Sequence, residues 1–292
     1  MRKAHIPARK AHIELHIAVL LFGVAGLFGK LVTADPATIV FGRAFCAALV
    51  IFLGLRFYRV SLVVGLQKSL LWLVASGLVL ALHWWAFFHA IQVSSVAVGL
   101  IGFATFPVFV TFLEPLFSDQ NYRAIDFASA ALVLVGLIFV APGFSLADQG
   151  LVGLLWAVFS GALFAILTLM NRRLVARHSS FVVVFYQLGV ASLCLLPLVV
   201  GTVGGLDAKN LWLLLTLGVL CTALPHTLFI KSLRVIKAQL ASVVAALEPV
   251  YGIVLAVVLL HEIPSLATLA GAALVLAAVW LATTAHSDAR KP

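Results

Sequence analysis

Apolar residues in this chain gather into long unbroken runs, and polar residues are confined to short punctuation between them. Ten runs stand out, near residues 13–33, 37–57, 69–91, 94–117, 124–141, 150–171, 180–200, 210–233, 238–260 and 265–285. At about 1.5 Å of rise per residue, each is about long enough to cross a hydrocarbon layer of roughly 30 Å as a helix. The connections are brief, as in "VTADPAT" (32–38), "SDQNYR" (118–123) and "HEIPS" (261–265). A transmembrane barrel would instead alternate in hydrophobicity over segments of about ten residues. The pattern predicts an all-α integral membrane protein with ten transmembrane helices.

Composition agrees with that pattern. Hydrophobic residues make up 64% of the chain and charged ones 10%, where a soluble domain has about half and a quarter. The net charge of +9 reads as membrane orientation rather than affinity for nucleic acid, because Lys and Arg collect on the cytoplasmic side. With the N-terminus inside, 16 of the 19 cations fall in cytoplasmic pieces, among them Arg2, Lys10, Arg56, Arg123, Arg172, Lys231 and Lys291. Lys30 and Lys209 fall outside, and Arg43 lies within a span. Both termini are therefore expected in the cytoplasm. The basic opening "MRKAHIPARKAH" resembles the start of a signal peptide, but no small-residue cleavage site follows. The first run is expected to stay as a helix.

The chain also matches itself. A shift of 142 residues places Phe22 on Phe164, Lys30 on Arg172, Phe87 on Phe229 and Pro107 on Pro249, and sets Leu132–Leu134 on Leu274–Leu276. Five spans per repeat is an odd number, so the second copy must cross in the opposite sense, an arrangement associated with secondary transporters. The charges follow the same logic: "VTADPAT" is poor in cations, while "NRRLVARHSS" (171–180) is rich in them. The expected organisation is a cytoplasmic tail (1–12), a first five-helix repeat (13–141), a second, inverted one (150–285) and a cytoplasmic tail (286–292).

Pro107 and Pro249 sit at matching places in the fourth and ninth spans. A proline inside a helix removes one N–H and clashes with the carbonyl four residues back, here Phe103 and Ala245. In lipid such breaks persist where they face protein or a wet cavity, so both prolines are expected to be hinges. Glu248, directly before Pro249, lies about ten residues or roughly 15 Å into its span. An acid that deep costs on the order of 3 kcal/mol and usually marks a substrate or proton path. The alternative is a neutral Glu bonded to a neighbouring backbone.

Other polar and aromatic groups share this depth. Trp84 in "ALHWWAFFHAI" and His226 in "ALPHTLFIKSL" are repeat partners near mid-span, suited to stacking on a planar ligand or simply to packing. Trp85 is expected to face lipid, and His83 is ambiguous. Arg43 is suited to a substrate carboxylate, to pairing with an acid, or to snorkelling toward the outer interface. Glu14 and Glu114 read as interfacial. Cys46, Cys194 and Cys221 fall in apolar runs without paired spacing, so neither a disulfide framework nor a metal site is expected. Phosphate-loop and hydrolase motifs are missing, which argues against an enzyme, and no cofactor is expected.

The "ALEPVYG…VLLHE" segment, the following "GAALVLAAVWLA" and the matching "FATFPVFVTFLEP" in the first half resemble the drug/metabolite transporter superfamily, specifically its EamA-type bacterial exporters. Within it the chain is most similar to YddG-type exporters of aromatic amino acids and cationic drugs. The resemblance implies a basket of helices around a central cavity, lined by spans one, three, four, six, eight and nine, with spans five and ten at the periphery. His226 departs from the aromatic common in relatives. The expected function is export of small amphipathic metabolites, aromatic or other apolar amino acids first, across the bacterial inner membrane by alternating access. Trp84, Phe103 and Phe106 would meet the apolar body of the substrate; His226, Glu248, Tyr251 and Arg43 would supply polar contacts. Coupling to protons is left open by the residues. The alternatives are a facilitator, an exporter of other metabolites or cationic drugs, a channel, or a membrane enzyme acting on lipid.

Overall fold

The structure is a computed structural model that describes residues 8–65, 67–117, 124–141 and 147–288. The outermost parts of both predicted tails, and the "SDQNYR" loop with Arg123, lie outside the described residues. Among those residues every regular element is helical. They are α1 (Ala8–Leu31), α2 (Pro36–Phe57), α3 (Gln67–Val93), α4 (Val96–Phe103), α5 (Phe106–Leu113), α6 (Ala124–Val140), α7 (Gln149–Arg177), α8 (Ser180–Val203), α9 (Ala208–Gly218), α10 (Leu224–Ser232), α11 (Ala238–Ala245), α12 (Glu248–Leu260) and α13 (Leu266–Asp288). Counting α4–α5, α9–α10 and α11–α12 as continuous spans, eight helices are long and apolar enough to cross a membrane, and α6 and α13 supply two shorter apolar stretches.

Helix ends carry backbone donors that lipid cannot satisfy, so polar caps mark the turns. Asp35 accepts from the Ala37 and Thr38 N–H groups and precedes Pro36, the first residue of α2. Asp148 accepts from Gly150 at the start of α7, Asp207 from Asn210 at the start of α9, and Ser95 from Val98 at the start of α4. His261 ends α12 in the left-handed region at φ 58°.

Packing crosses between the two halves of the chain. α1 packs on α10 and α12, and α7 packs on α3, α4 and α5. α2 meets α8, and α6 meets α13. Side-chain bonds sort the helix ends into two groups. At one end Lys231 pairs with Glu14, Arg172 with Glu114, and Arg234 donates to the His178 carbonyl. At the other end Lys30 reaches the Ser94 carbonyl, Asn210 bonds Thr33, Thr38 meets Thr202, and the Val96 N–H donates to Glu262. Glu14 and Glu114 are not open interfacial carboxylates; both are buried and paired across the halves.

Both proline spans are broken. α4 gives way to α5 across Ala104 and Thr105, and α11 to α12 across Ala246 and Leu247, two pairs that also stand 142 residues apart. Each break precedes its proline, so Pro107 and Pro249 become the second residues of new helices, where a missing N–H costs nothing. A glycine of a facing helix admits each break. A Cβ on Gly161 of α7 would lie 2.9 Å from the Phe103 carbonyl oxygen, and one on Gly23 of α1 would lie 3.1 Å from the Glu248 carbonyl oxygen.

Candidate functional site

Between these broken helices lies a cavity with about 380 Å³ of free space, lined by Phe22, Ala25, Arg43, His83, Trp84, Phe87, Phe103, Phe164, His226 and Glu248. The lining comes from spans one, three, four, six, eight and nine, with Arg43 added from span two.

Arg43 is held from three sides. Its guanidinium carbon stands 3.9 Å from the Trp84 ring centre, Nε donates to Thr222 Oγ1 at 3.0 Å, and Nη2 donates to the Cys221 carbonyl at 3.4 Å. Local sequence explains the last acceptor. Pro225 has no N–H to offer the carbonyl four residues back, which is that of Cys221. The chain also runs as a wide turn over Val219–Ala223. Thr222 is oriented in turn by donating to the Leu217 carbonyl at 2.7 Å. Arg43 is 2% exposed, so it does not snorkel. Two of the five guanidinium N–H donors are engaged with protein.

Glu248 opens α12 and is 5% exposed. Its carboxylate faces the cavity and takes no hydrogen bond from the described residues, so it is not tied to a neighbouring backbone. His226 bonds Gln187 through Nε2 at 3.1 Å, and its ring tilts against Trp84 at 5.6 Å. Gln187 continues inward to Asn171 and Ser76. The apolar wall is an aromatic cluster: Phe103 lies 5.3 Å from Phe164 and 5.5 Å from Phe87.

Arg43, Trp84, Phe103, His226 and Glu248 are therefore brought to one cavity. Phe106 and Tyr251 are not on its wall. Phe106 is fully buried behind Phe103, stacked at 5.1 Å, because its position at the α5 start turns it into the α7 contact with Phe164. Tyr251, one turn beyond Glu248, packs against Gly23 of α1. Trp85 is not lipid-facing alone; it stacks on His89 and meets Trp156 edge-on.

The sequence profile of the EamA-like transporter family matches twice, over residues 10–141 and 151–284. The chain belongs to the EamA-like transporter family. It is thus a multi-pass membrane protein of a transporter family, within the drug/metabolite transporters, and its two family units coincide with the two halves that exchange contacts. It is 27% identical over 263 residues to the threonine/homoserine exporter RhtA of Escherichia coli K12, covering 87% of this chain and 86% of that protein. Over 171 residues it is 35% identical to the pseudopaline exporter CntI of Pseudomonas aeruginosa PAO1, 57% of each chain. A solved crystal structure superposes with a TM-score of 0.69 at 20% identity, covering 97% of this chain and 99% of that one, which shows a shared fold.

Several cavity residues of this EamA-like chain carry weak sequence signals. His83, whose role the sequence leaves open, is buried with Nδ1 2.8 Å from Ser160 Oγ. Thr222 looks like any threonine in an apolar run. Pro225, another proline inside a span, was the available signal for both Cys221 and Thr222. Phe22 and Phe164 are repeat partners that both reach the cavity, and their pairing at the 142-residue shift was the clue.

Proposed function

We propose that this EamA-like protein exports small zwitterionic metabolites, aromatic or other apolar amino acids first, across the bacterial inner membrane with both termini in the cytoplasm. The observation that carries this reading is the pair Arg43 and Glu248: opposite formal charges in one small aromatic-lined cavity, the cation pre-oriented and the carboxylate without a hydrogen bond. A substrate carboxylate fits the remaining guanidinium donors, its ammonium fits Glu248, and its apolar body fits Trp84, Phe87 and Phe103. A fixed cation inside the cavity disfavours cationic drugs. The named relatives, exporters of threonine/homoserine and of pseudopaline, support export of amino-acid-like compounds.

The working cycle is alternating access between inverted five-helix repeats, with hinges at the breaks before Pro107 and Pro249. The matching breaks, the crossed packing of α1 and α7 and the sorted helix ends support it. The test is flux of radiolabelled phenylalanine into proteoliposomes, beside its amide and its N-acetyl derivative, with and without a pH gradient. Saturable flux of the zwitterion, with both derivatives reduced at least about tenfold (1.4 kcal/mol), is expected. Equal flux of the three compounds would remove the charge-pair reading, and no flux of any amino acid would remove the substrate class. Flux indifferent to the gradient identifies a facilitator rather than a proton-coupled exporter.

A further inference from the structure

A second cleft lies apart from the transport cavity and shares no lining residue with it. It opens where the start of α3 meets the end of α7, at the end of the bundle that the charge bias assigns to the cytoplasm. Lys68, Ser69, Trp72, Arg173, Arg177 and His178 supply its polar and aromatic lining, and no acidic side chain lines it among the described residues. Lys68 and Trp72 are four residues apart on α3, and Arg173 and Arg177 four apart on α7. Each pair therefore shares one helix face, and the two faces converge. Lys68 and Arg177 make no ion pair with the described residues, which leaves their charge available to an anion.

Two further groups point to a ligand. Ser69 is 6% exposed, lines the cleft and makes no hydrogen bond to the described residues. The Nε2 of His178 is buried with no partner among the described residues. Both suit the oxygens of a phosphate. Trp72 is 44% exposed and Leu71 beside it 63%, so the cleft runs out onto an apolar surface one turn deeper along α3. A tryptophan at that level marks the boundary between headgroups and hydrocarbon.

We propose that this cleft binds the phosphate headgroup of an anionic membrane phospholipid, with the acyl chains lying over Trp72 and Leu71. Basic pockets between helices on the cytoplasmic side are suited to such headgroups. Because α3 and α7 belong to different halves, a bound lipid clamps those halves together at this end.

The test uses the full chain in nanodiscs of phosphatidylcholine, alone or mixed with phosphatidylglycerol, reading thermal unfolding and lipid retention by native mass spectrometry. Phosphatidylglycerol should raise the unfolding temperature and be retained preferentially. The double variant Lys68→Gln/Arg177→Gln should lose about 30-fold in retention, at about fivefold per cation near the surface. Lys68→Arg/Arg177→Lys should keep it, which separates charge from misfolding. Arg56→Gln/Arg59→Gln, at the same end but outside the cleft, should also keep it. Equal loss in that control, or unchanged retention in the first double variant, overturns the proposal. Stabilisation by inorganic phosphate equal to that by phosphatidylglycerol overturns the lipid as occupant.

Discussion

The guanidinium carbon of Arg43 sits 3.9 Å from the centre of the Trp84 ring, and both side chains are buried. The ring face is electron-rich, so this contact lets a cation persist in a span where no hydrogen-bonded acid neutralises it. A desolvated cation–π contact contributes about 2 kcal/mol. Trp84→Leu should therefore lower the unfolding temperature and weaken amino acid binding roughly tenfold or more, with Trp84→Phe intermediate. Thermal unfolding with and without phenylalanine measures both. Wild-type behaviour of Trp84→Leu in both readouts would mean the stacking holds nothing.

Glu14 and Lys231 approach to 2.6 Å, with the Glu14 side chain only 10% exposed. The Lys231 side chain is 26% exposed, so removing it strands mainly the buried Glu14 carboxylate, at up to about 3–5 kcal/mol. Lys231→Met should destabilise far more than the double variant Glu14→Gln/Lys231→Met. A double-mutant cycle in detergent should give a coupling above the roughly 0–1 kcal/mol of exposed pairs. A coupling near zero would place this pair among the inert ones.

The contact of α6 with α13 is closed by glycines. A Cβ on Gly271 would lie 2.5 Å from the Gly136 carbonyl oxygen and 2.6 Å from Val140 Cγ2. Gly271→Ala should cost about 1–3 kcal/mol through forced separation of the helices. Gly54→Ala, where nothing lies within 4 Å, should be neutral or stabilising by up to about 1 kcal/mol. Thermal denaturation of the two variants side by side decides the comparison.

Opposite insertion of the two halves has a direct readout. In a background lacking Cys46, Cys194 and Cys221, a cysteine at Arg177 should react with an impermeant maleimide only from the cytoplasmic side. One at Asp35, its counterpart 142 residues earlier in the first half, should react only from outside. Labelling of both positions from the same side would exclude the inverted arrangement.

The helical spans could be read from hydrophobic run length, because lipid allows a backbone of this composition little besides helix. The break positions were nearly readable as well: Pro107 and Pro249 announced them, although each break falls just ahead of its proline, where the ring fits a first turn. Glu14 and Glu114 misled, since charge near a span end looks the same whether it meets water or a cation on another helix.

Length, apolar period and charge bias along one dimension settled that the chain is a multi-span helical membrane protein with a doubled pattern. Those properties are local or strictly periodic, so no folding is needed to see them. Which side chains share a cavity was decided only in three dimensions. Arg43 reaches Trp84 and Thr222 because α2, α3 and the wide turn before α10 converge. Phe106 and Tyr251 turn away because the helix restarts at each break fix their facing toward α7 and α1. The direction in which a mid-span side chain points is set by its neighbours' packing, and sequence position alone leaves that direction undetermined.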